Sequence, residues 1–172
     1  MSLWQIYHPI GTYANPASKV AFAEDITKMY TNVSLPAFYV VVQFIPLPTE
    51  DFLVGGKQVT GKPFIRVVIT QIAIRLPDDD ASYNRNTASI DKILGPHVAD
   101  KGYDWEYHVD ETERRLWKIN GMTPPPWKSV KRRSYGQRRT GQFLTMVPTD
   151  SGFQIDVSRQ CNNRLGIGRL LL

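Results

Sequence analysis

The sequence predicts an α+β (α/β) domain made of two β-α-β units, with four strands in one sheet and two helices on a single face. Segments rich in β-branched and aromatic residues alternate with two amphipathic segments, and Gly and Pro separate them. The pattern occurs twice before a proline-rich stretch at residues 124–126. Because parallel strands joined by a helix need right-handed crossovers, both helices are expected on the same face.

The first unit is predicted to begin with a strand at residues 3–7. Asn15 followed by Pro16 is typical of a helix start, with Asn as N-cap and Pro in the first turn, and we expect this helix to end near residue 32. Residues 38–45 are β-branched and aromatic throughout, which predicts a strand buried on both faces or nearly so. The predicted apolar face of the helix consists of Val20, Ala23, Ile26, Thr27 and Tyr30.

The second unit repeats this order. Residues 52–57 predict a short strand ending in a turn, and residues 64–74 predict a long strand. Asp residues at 78–80 offer N-caps for a helix from about residue 81, Gly102 ends it, and residues 103–109 form the closing strand. The predicted apolar face of this helix consists of Ile90, Ile93, Leu94 and Val98.

Composition narrows the class of protein. A chain of 172 residues with 42% hydrophobic and 22% charged residues suits one core. It has neither an apolar run of membrane-spanning length nor a secretory signal, so we expect a soluble cytoplasmic protein without a membrane partner. The single Cys161 and three scattered histidines lack metal-ligand spacing, so neither a metal nor another cofactor is expected.

The charge is concentrated in the C-terminal part of the chain. Residues 128–172 hold nine of the 21 Lys and Arg residues but two of the 16 Asp and Glu residues. We therefore predict a domain over residues 1–126 and a basic, mostly irregular tail over residues 127–172. A solvated charge run is the favoured interpretation, which makes nucleic acid an unlikely partner. The alternative is that six basic residues of the tail bind the phosphates of a nucleic acid. They are Lys128, Lys131, Arg132, Arg133, Arg138 and Arg139.

Four segments carry a family resemblance. IYHPIGTY, LPAFYVVVQFIPLP, FLVGGK and GYDWEYHVDETERRLWKINGMTPPP follow one another in an order and spacing that resemble the tautomerase superfamily. The branch they resemble is that of fungal proteins similar to cis-3-chloroacrylic acid dehalogenase, over residues 2–126. The resemblance implies a homotrimer whose sheets face inward. It also implies cofactor-free proton transfer by an N-terminal proline, with arginines that bind a small carboxylic acid.

Position 2, where the family has its proline, is Ser2. Removal of Met1 leaves a primary α-amine with a reference pKa of about 7.7–8.0, which suits proton exchange near neutral pH. This amine lacks the ring that fixes the direction of a proline nitrogen. Two alternatives stay open: the start Met-Ser-Leu is also what an expression vector leaves in place of Met-Pro, and Ser2 is also a candidate N-terminal nucleophile.

At the family's other catalytic and binding positions, some residues of this chain match the family and others differ. The resemblance places Arg75 as a carboxylate-binding arginine, Gln71 where its partner arginine would stand, and Tyr107 at the catalytic tyrosine. Tyr30 replaces the histidine of the dehalogenase branch and is a candidate substrate contact. The water-activating glutamate has no clear counterpart, and Lys118 and Asn120 are nearest to its position.

His8 is a further catalytic candidate that rests on its own chemistry. It follows the first strand at once, and a side chain with a near-neutral pKa at the mouth of the same pocket suits proton transfer. The alternative is that His8 and Pro9 simply form a turn.

Two functions compete at this stage. The first is a weak tautomerase or isomerase acting on a small keto, enol or unsaturated carboxylic acid, with low hydratase or dehalogenase activity. The second is a non-catalytic trimeric scaffold or small-acid-binding member of the fold. Efficient dehalogenation is rejected because the proline, one arginine, the histidine and the glutamate are all missing.

Overall fold

The structure is a computed structural model that describes residues 1–119, 121, 123–124, 145–149 and 152–156. Its division into compact units separates residues 1–117 from residues 118–172. In the first unit the helices and main strands are β1 (Ser2–Pro9), α1 (Pro16–Asn32), β2 (Val40–Leu47), β3 (Leu53–Val54), β4 (Lys57–Gln58), β5 (Phe64–Ile72), α2 (Asp80–His97) and β6 (Asp104–Thr112).

The main sheet has the strand order β2-β1-β5-β6. Strands β1 and β2 are parallel, as are β5 and β6, and the two β-α-β units meet through the antiparallel pair β1 and β5. The helices lie side by side, since the His97 ring of α2 stacks on Phe22 of α1 with centroids 4.5 Å apart. The prediction of a four-stranded sheet with two helices is confirmed.

Helix α1 begins where the sequence predicts. The Asn15 side chain accepts a hydrogen bond from the backbone N–H of Ala17 at 2.9 Å, and the helix ends at Asn32. Its buried stripe is Phe22, Ile26 and Tyr30. The placement of Val20 on the core face is wrong, since this side chain is 57% exposed. The spacing of four residues from Phe22 to Tyr30 defines the stripe instead.

Helix α2 also matches its predicted start. Asp79 is the N-cap, and its carboxylate accepts from the backbone N–H of Ser82 at 2.7 Å. A short 3₁₀ turn then ends at Gly102, which has the left-handed φ of 73° that glycine adopts without a Cβ penalty. The four predicted apolar residues, Ile90, Ile93, Leu94 and Val98, are all buried.

Two strand predictions need correction. Strand β2 is half-exposed along most of its length in the single chain, because it lies at the edge of the sheet. The predicted short strand at residues 52–57 is a hairpin in which Val54 pairs with Lys57. Gly55 and Gly56 form its turn with φ of 59° and 75°, the conformation that favours glycine in a two-residue hairpin loop.

Strand β1 has two different faces. The helix-covered face carries four buried side chains, those of Ser2, Trp4, Ile6 and His8. The residues between them, at positions 3, 5 and 7, lie on the opposite face and are half-buried. Their neighbours on β5 show the same alternation. The central strand therefore carries its position-2 side chain into the space between sheet and helices.

The C-terminal unit has one described element pair. Strand β7 (Thr145–Thr149) pairs antiparallel with β8 (Gly152–Asp156) within the tail that was predicted to be mostly irregular. The Lys and Arg run at residues 128–139 lies outside the described residues. A domain boundary at residue 126 stays a prediction. Within the described part of the chain, no helix is long and apolar enough to cross a membrane.

Candidate active site at the start of the central strand

The Ser2 side chain is enclosed at the start of β1. It is 1% exposed, and its hydroxyl donates to the Tyr30 hydroxyl at 2.7 Å. The indole Nε1 of Trp4 donates to the same Tyr30 oxygen at 3.0 Å. Burial raises the pKa of Tyr30, and these two hydrogen bonds act in the opposite direction. Position 2 is thus fixed by its side chain as well as by the sheet.

The local sequence explains this contact. Tyr30 is the last member of the buried stripe of α1, and the direction of that helix brings it to the end of the sheet where β1 starts. Trp4 is two residues after Ser2 and so shares its face of the strand. The Tyr30 hydroxyl oxygen therefore accepts hydrogen bonds from two side chains of β1.

Met1 extends the strand by one residue. Its amino group donates to the carbonyl of Ile72 at 3.1 Å, and its carbonyl accepts from the N–H of Ile72 at 2.9 Å. While Met1 is present the nitrogen of Ser2 is an amide without basic character. A basic nitrogen at position 2 therefore requires removal of Met1.

Gln71 is the register partner of Ser2 on β5. It is 4% exposed, and its Nε2 donates to Oδ1 of Asn86 on α2 at 3.0 Å. Sequence reasoning missed Asn86. The available signal was its place one helical turn before Ile90 on the buried side of α2. We name Ser2, Trp4, Tyr30, Gln71 and Asn86 the position-2 cluster.

Arg75 follows β5 at the same end of the sheet and is exposed. The chain reaches it through Ala73, whose φ of 65° is left-handed. Arg115 lowers the pKa of the Glu113 carboxyl through its hydrogen bonds, and the charge of Arg75 adds a smaller effect in the same direction. Next to Arg75, the N–H of Leu76 donates to Oε1 of Glu111 at 2.7 Å.

Tyr107 lies away from Ser2 within one chain. It is four residues along β6 from Glu111, the neighbour of Gln71, which corresponds to about 13 Å along the strand. Its hydroxyl donates to Oδ1 of Asp91 at 3.1 Å, and burial followed by this carboxylate raises its pKa to about 12. Tyr107 is therefore not part of the position-2 cluster.

His8 is still further away. Six residues of β1 separate it from Ser2, which corresponds to about 20 Å. The ring is 2% exposed, Nδ1 lies 2.8 Å from Oγ1 of Thr12, and Nε2 is sealed without a partner. Burial lowers the pKa of His8. The structure does not bring His8 to the mouth of a pocket shared with Ser2 in the same chain.

The residues nearest to the family's glutamate position, and possible metal ligands, add nothing to the position-2 cluster. Of the two residues nearest to the position of the missing glutamate, Asn120 lies outside the described residues and Lys118 begins the second compact unit. Among the residues that the structure describes, no group of three or more His, Cys, Asp or Glu is arranged to hold a metal ion.

Two solved structures share about a third of their sequence with this chain. A probable enzyme from the fungus Aspergillus fumigatus is 36% identical, with a TM-score of 0.71, and the match covers 80% of this chain and 94% of that one. Native RhCC from Rhodococcus jostii RHA1 is 34% identical, with a TM-score of 0.70, over 79% of this chain and 95% of that one. No curated protein sequence matches the chain.

A more distant structure shares the fold. N1, described as a member of the cis-3-chloroacrylic acid dehalogenase family, is 14% identical with a TM-score of 0.57, over 77% of this chain and 89% of that one. The family profile described as "Putative oxalocrotonate tautomerase enzyme" matches residues 1–139. That match spans most of the chain, including every helix and strand of the main sheet. The chain therefore belongs to this tautomerase family.

Proposed function

We propose that this protein is a cytoplasmic, cofactor-free tautomerase that transfers protons on a small keto, enol or unsaturated carboxylic acid. The α-amine of Ser2, freed by removal of Met1, is the proposed base. It takes the proton of an enol hydroxyl, and the resulting ammonium returns a proton to the adjacent carbon. The proposed rate is low because a primary amine on an open chain has more rotational freedom than a proline nitrogen.

One observation supports this assignment above the others. The Ser2 side chain is held by Tyr30, which also accepts from Trp4, and the strand is hydrogen-bonded on both sides. The nitrogen of residue 2 is thereby confined to one place although the proline ring is missing. Confinement of a catalytic group is a large part of what an active site contributes.

The other candidate residues fall into two groups according to their distance from Ser2. Arg75 and Gln71 lie at the same end of the sheet as Ser2, so we assign them to substrate binding together with Tyr30. Tyr107 and His8 are about 13 and 20 Å along the strands from that end. If they take part in catalysis, they do so at the site of a neighbouring subunit.

A homotrimer is the proposed assembly. The face of the sheet opposite the helices is half-buried in the single chain, and it carries Leu3, Tyr7 and Val68. Apolar side chains on an uncovered sheet face favour association. A structure described as a fused 4-OT wild-type asymmetric trimer is 18% identical and has the same fold, with a TM-score of 0.53.

The experiment compares ketonisation of phenylenolpyruvate by this chain and by the Ser2→Pro variant, with intact-protein mass to establish that Met1 is absent. We expect measurable turnover by the wild-type chain and a gain of about 10- to 100-fold in the variant. Inactivity of both proteins in the Met1-free form contradicts the proposal. Activity that is equal with and without Met1 contradicts it as well.

The second candidate is a non-catalytic trimeric scaffold or small-acid binder. It is favoured by the uncharged Gln71, which stands where the family resemblance implies an arginine and donates to Asn86. Activity that appears only in the Ser2→Pro variant supports this alternative, because it indicates a competent pocket without a working base.

A further inference from the structure

We propose that residues 113–117 cover the position-2 end of the sheet, and that Trp117, which anchors this segment, limits the size of the substrate that reaches Ser2. The inference rests on the proposed function, because it concerns access to the same amine. It keeps a small carboxylic acid as the substrate and names a residue that excludes larger ones. We name residues 113–117 the crossing segment.

The strand register places the two ends of the crossing segment at opposite edges of the sheet. One row of paired residues runs across all four strands at the level of position 2. In the order β2, β1, β5 and β6, it consists of Val40, Ser2, Gln71 and Glu111. The crossing segment begins just after β6 ends at Thr112. Its last residue, Trp117, contacts Tyr39, which directly precedes β2, with ring centroids 5.7 Å apart.

The crossing segment therefore passes from the β6 edge to the β2 edge. Four strands span three intervals of about 4.8 Å, or about 14 Å in all. Five residues reach at most about 18 Å when fully extended, and the 3₁₀ turn at Arg114–Leu116 shortens this reach. The segment is too short for a detour, so it takes a direct course past the ends of β5 and β1.

This course lies beyond the strand ends. Arg115 lowers the pKa of the Glu113 carboxyl most, and the charge of Arg75 contributes, so Glu113 lies within reach of Arg75. Arg75 is three residues past the last residue of β5. At the same end Met1 is half-buried and Ser2 is 1% exposed. The crossing segment is therefore placed to cover the start of β1.

The crossing segment has a fixed shape and an anchored far end. Oε1 of Glu113 accepts from the backbone N–H of Arg115 at 3.1 Å and from its Nε at 3.2 Å. Leu116 is 86% exposed, whereas Trp117 is half-buried against the fully buried Tyr39. Edge-to-face aromatic pairs favour a specific relative orientation. The Trp117 ring thus holds the segment at the β2 edge.

A cover at this place controls access to the amine of residue 2. In a closed site, one added group changes selectivity by about 10- to 200-fold. Trp117→Ala removes the ring that joins the crossing segment to Tyr39. This variant is therefore expected to admit larger molecules to Ser2, with little change for small ones.

The test is the reactivity of the Ser2 α-amine in the Met1-free full chain. Cyanate is the small probe, the N-hydroxysuccinimide ester of biotin is the bulky probe, and peptide mapping gives each rate at residue 2. The measured quantity is the ratio of the bulky-probe rate to the cyanate rate. We expect this ratio in wild type to be at least about tenfold below that of a free Ser-Leu-Trp peptide, and to rise at least about fivefold in Trp117→Ala.

Trp105→Ala is the matched control. Trp105 is also half-buried, but it lies six residues along β6 from Glu111, which corresponds to about 20 Å. This variant should keep the wild-type ratio, and so should Trp117→Phe, which retains an aromatic ring. If circular dichroism shows that Trp117→Ala does not fold, Trp117→Leu replaces it with the same expectation.

The outcomes are separable from those of the proposed function, because amine reactivity needs no turnover. A wild-type ratio equal to that of the free peptide overturns the inference. An unchanged ratio in the folded Trp117 variant without a ring, or an equal rise in Trp105→Ala, overturns it too. A chain that keeps the size effect but does not ketonise phenylenolpyruvate contradicts the proposed reaction alone.

Discussion

The two ends of β1 bury polar groups in opposite ways. At the start of the strand the side chains of the position-2 cluster are hydrogen-bonded to one another. At the far end His8 is packed against the rings of Tyr13 and Phe44, with centroids 5.3 and 6.1 Å away. We name His8, Thr12, Tyr13 and Phe44 the His8 cluster.

The tautomer of His8 follows from its neighbours. The Thr12 hydroxyl donates to the carbonyl of Pro9 at 2.7 Å, so its only hydrogen is used. Nδ1 of His8 lies 2.8 Å from that hydroxyl oxygen and 3.1 Å from the same carbonyl. Two acceptors face Nδ1, so Nδ1 carries the proton and Nε2 holds a bare lone pair.

The two ends of β1 therefore differ in whether their buried polar groups have hydrogen-bond partners. Nε2 of His8 is the more basic free atom, but it is buried. The side chains of the position-2 cluster are also buried, apart from the half-buried Asn86, but their hydrogen bonds are made within the cluster. A buried polar atom without a partner, such as Nε2 of His8, costs stability, whereas the paired side chains at position 2 hold the proposed catalytic nitrogen in place. Chemistry is therefore expected at the start of the strand, and pH-dependent stability at its far end.

The largest expected effect is the loss of Tyr30 from the position-2 cluster. Tyr30→Phe leaves the buried Trp4 N–H and the Ser2 hydroxyl without their acceptor, at a cost of about 2–4 kcal/mol in the free energy of unfolding. Urea denaturation measures it. Tyr83→Phe removes an exposed hydroxyl that donates to Asp78 and should stay within about 0.5 kcal/mol of wild type. Equal stability of the two variants would show that the cluster does not act as a unit.

The His8 cluster is expected to respond to acid. Burial lowers the folded-state pKa of His8, and the nearby charge of Lys19 contributes to this. Below the ordinary value of 6.5 the unfolded chain takes up the proton first, so stability falls as the pH drops from 6.5. The slope contributed by His8 is at most about 1.4 kcal/mol per pH unit.

The measurement for this prediction is denaturant unfolding at pH 7.0, 6.0 and 5.0. His8→Leu should flatten the fall, whereas His108→Gln, which changes a more exposed histidine, should retain most of it. A fall of the same steepness in His8→Leu would place the titrating group elsewhere.

A smaller effect is expected from Thr12→Val, which removes the hydroxyl between His8 and Pro9. The change should cost about 1 kcal/mol, the net value of a buried hydrogen bond. Thr31→Val removes an exposed hydroxyl that donates within α1 and is the control. Nitrogen NMR of wild type should show a protonated Nδ1 on His8. A protonated Nε2 would refute the hydrogen-bond assignment.

The smallest effect is expected between the two ends, where Asp25 of α1 meets His97 of α2 at 2.8 Å. Hydrogen bonds from Lys28 and then from His97 lower the pKa of the Asp25 carboxyl. The associated stability is present above the ordinary value of 3.8 and is lost as the pH falls through the lowered folded-state pKa. Solvent screens this exposed carboxylate, so Asp25→Asn should cost less than about 1 kcal/mol at pH 7. A loss as large as that of Tyr30→Phe would contradict this ranking.

Local patterns predict much of the fold because caps and periodicity act over a few residues. Asn15, Asp79 and Gly102 mark helix boundaries by their own backbone and side-chain preferences. The burial of Val20 was mispredicted because several stripes of α1 are apolar, and only packing on the sheet selects the one containing Phe22.

The site is less predictable because register determines it. A strand places residues six positions apart at opposite ends of the sheet, so the closeness of His8 and Ser2 in sequence is misleading. Asn86 and Gln71 meet only because α2 crosses the end of β5. The family resemblance supplied Ser2, Tyr30, Gln71 and Arg75, but the hydrogen bonds from Ser2 to Tyr30 and from Gln71 to Asn86 depend on how the two helices cross the sheet.

The most direct test of the central claim is selective blocking of the α-amine of Ser2. Cyanate near pH 6.5 carbamylates α-amines in preference to lysines, because their reference pKa values are about 7.7–8.0 and about 10.4. After peptide mapping of the Met1-free chain, we predict that ketonisation of phenylenolpyruvate falls in proportion to carbamylation at Ser2. Full activity in a chain whose Ser2 amine is completely carbamylated would contradict the account.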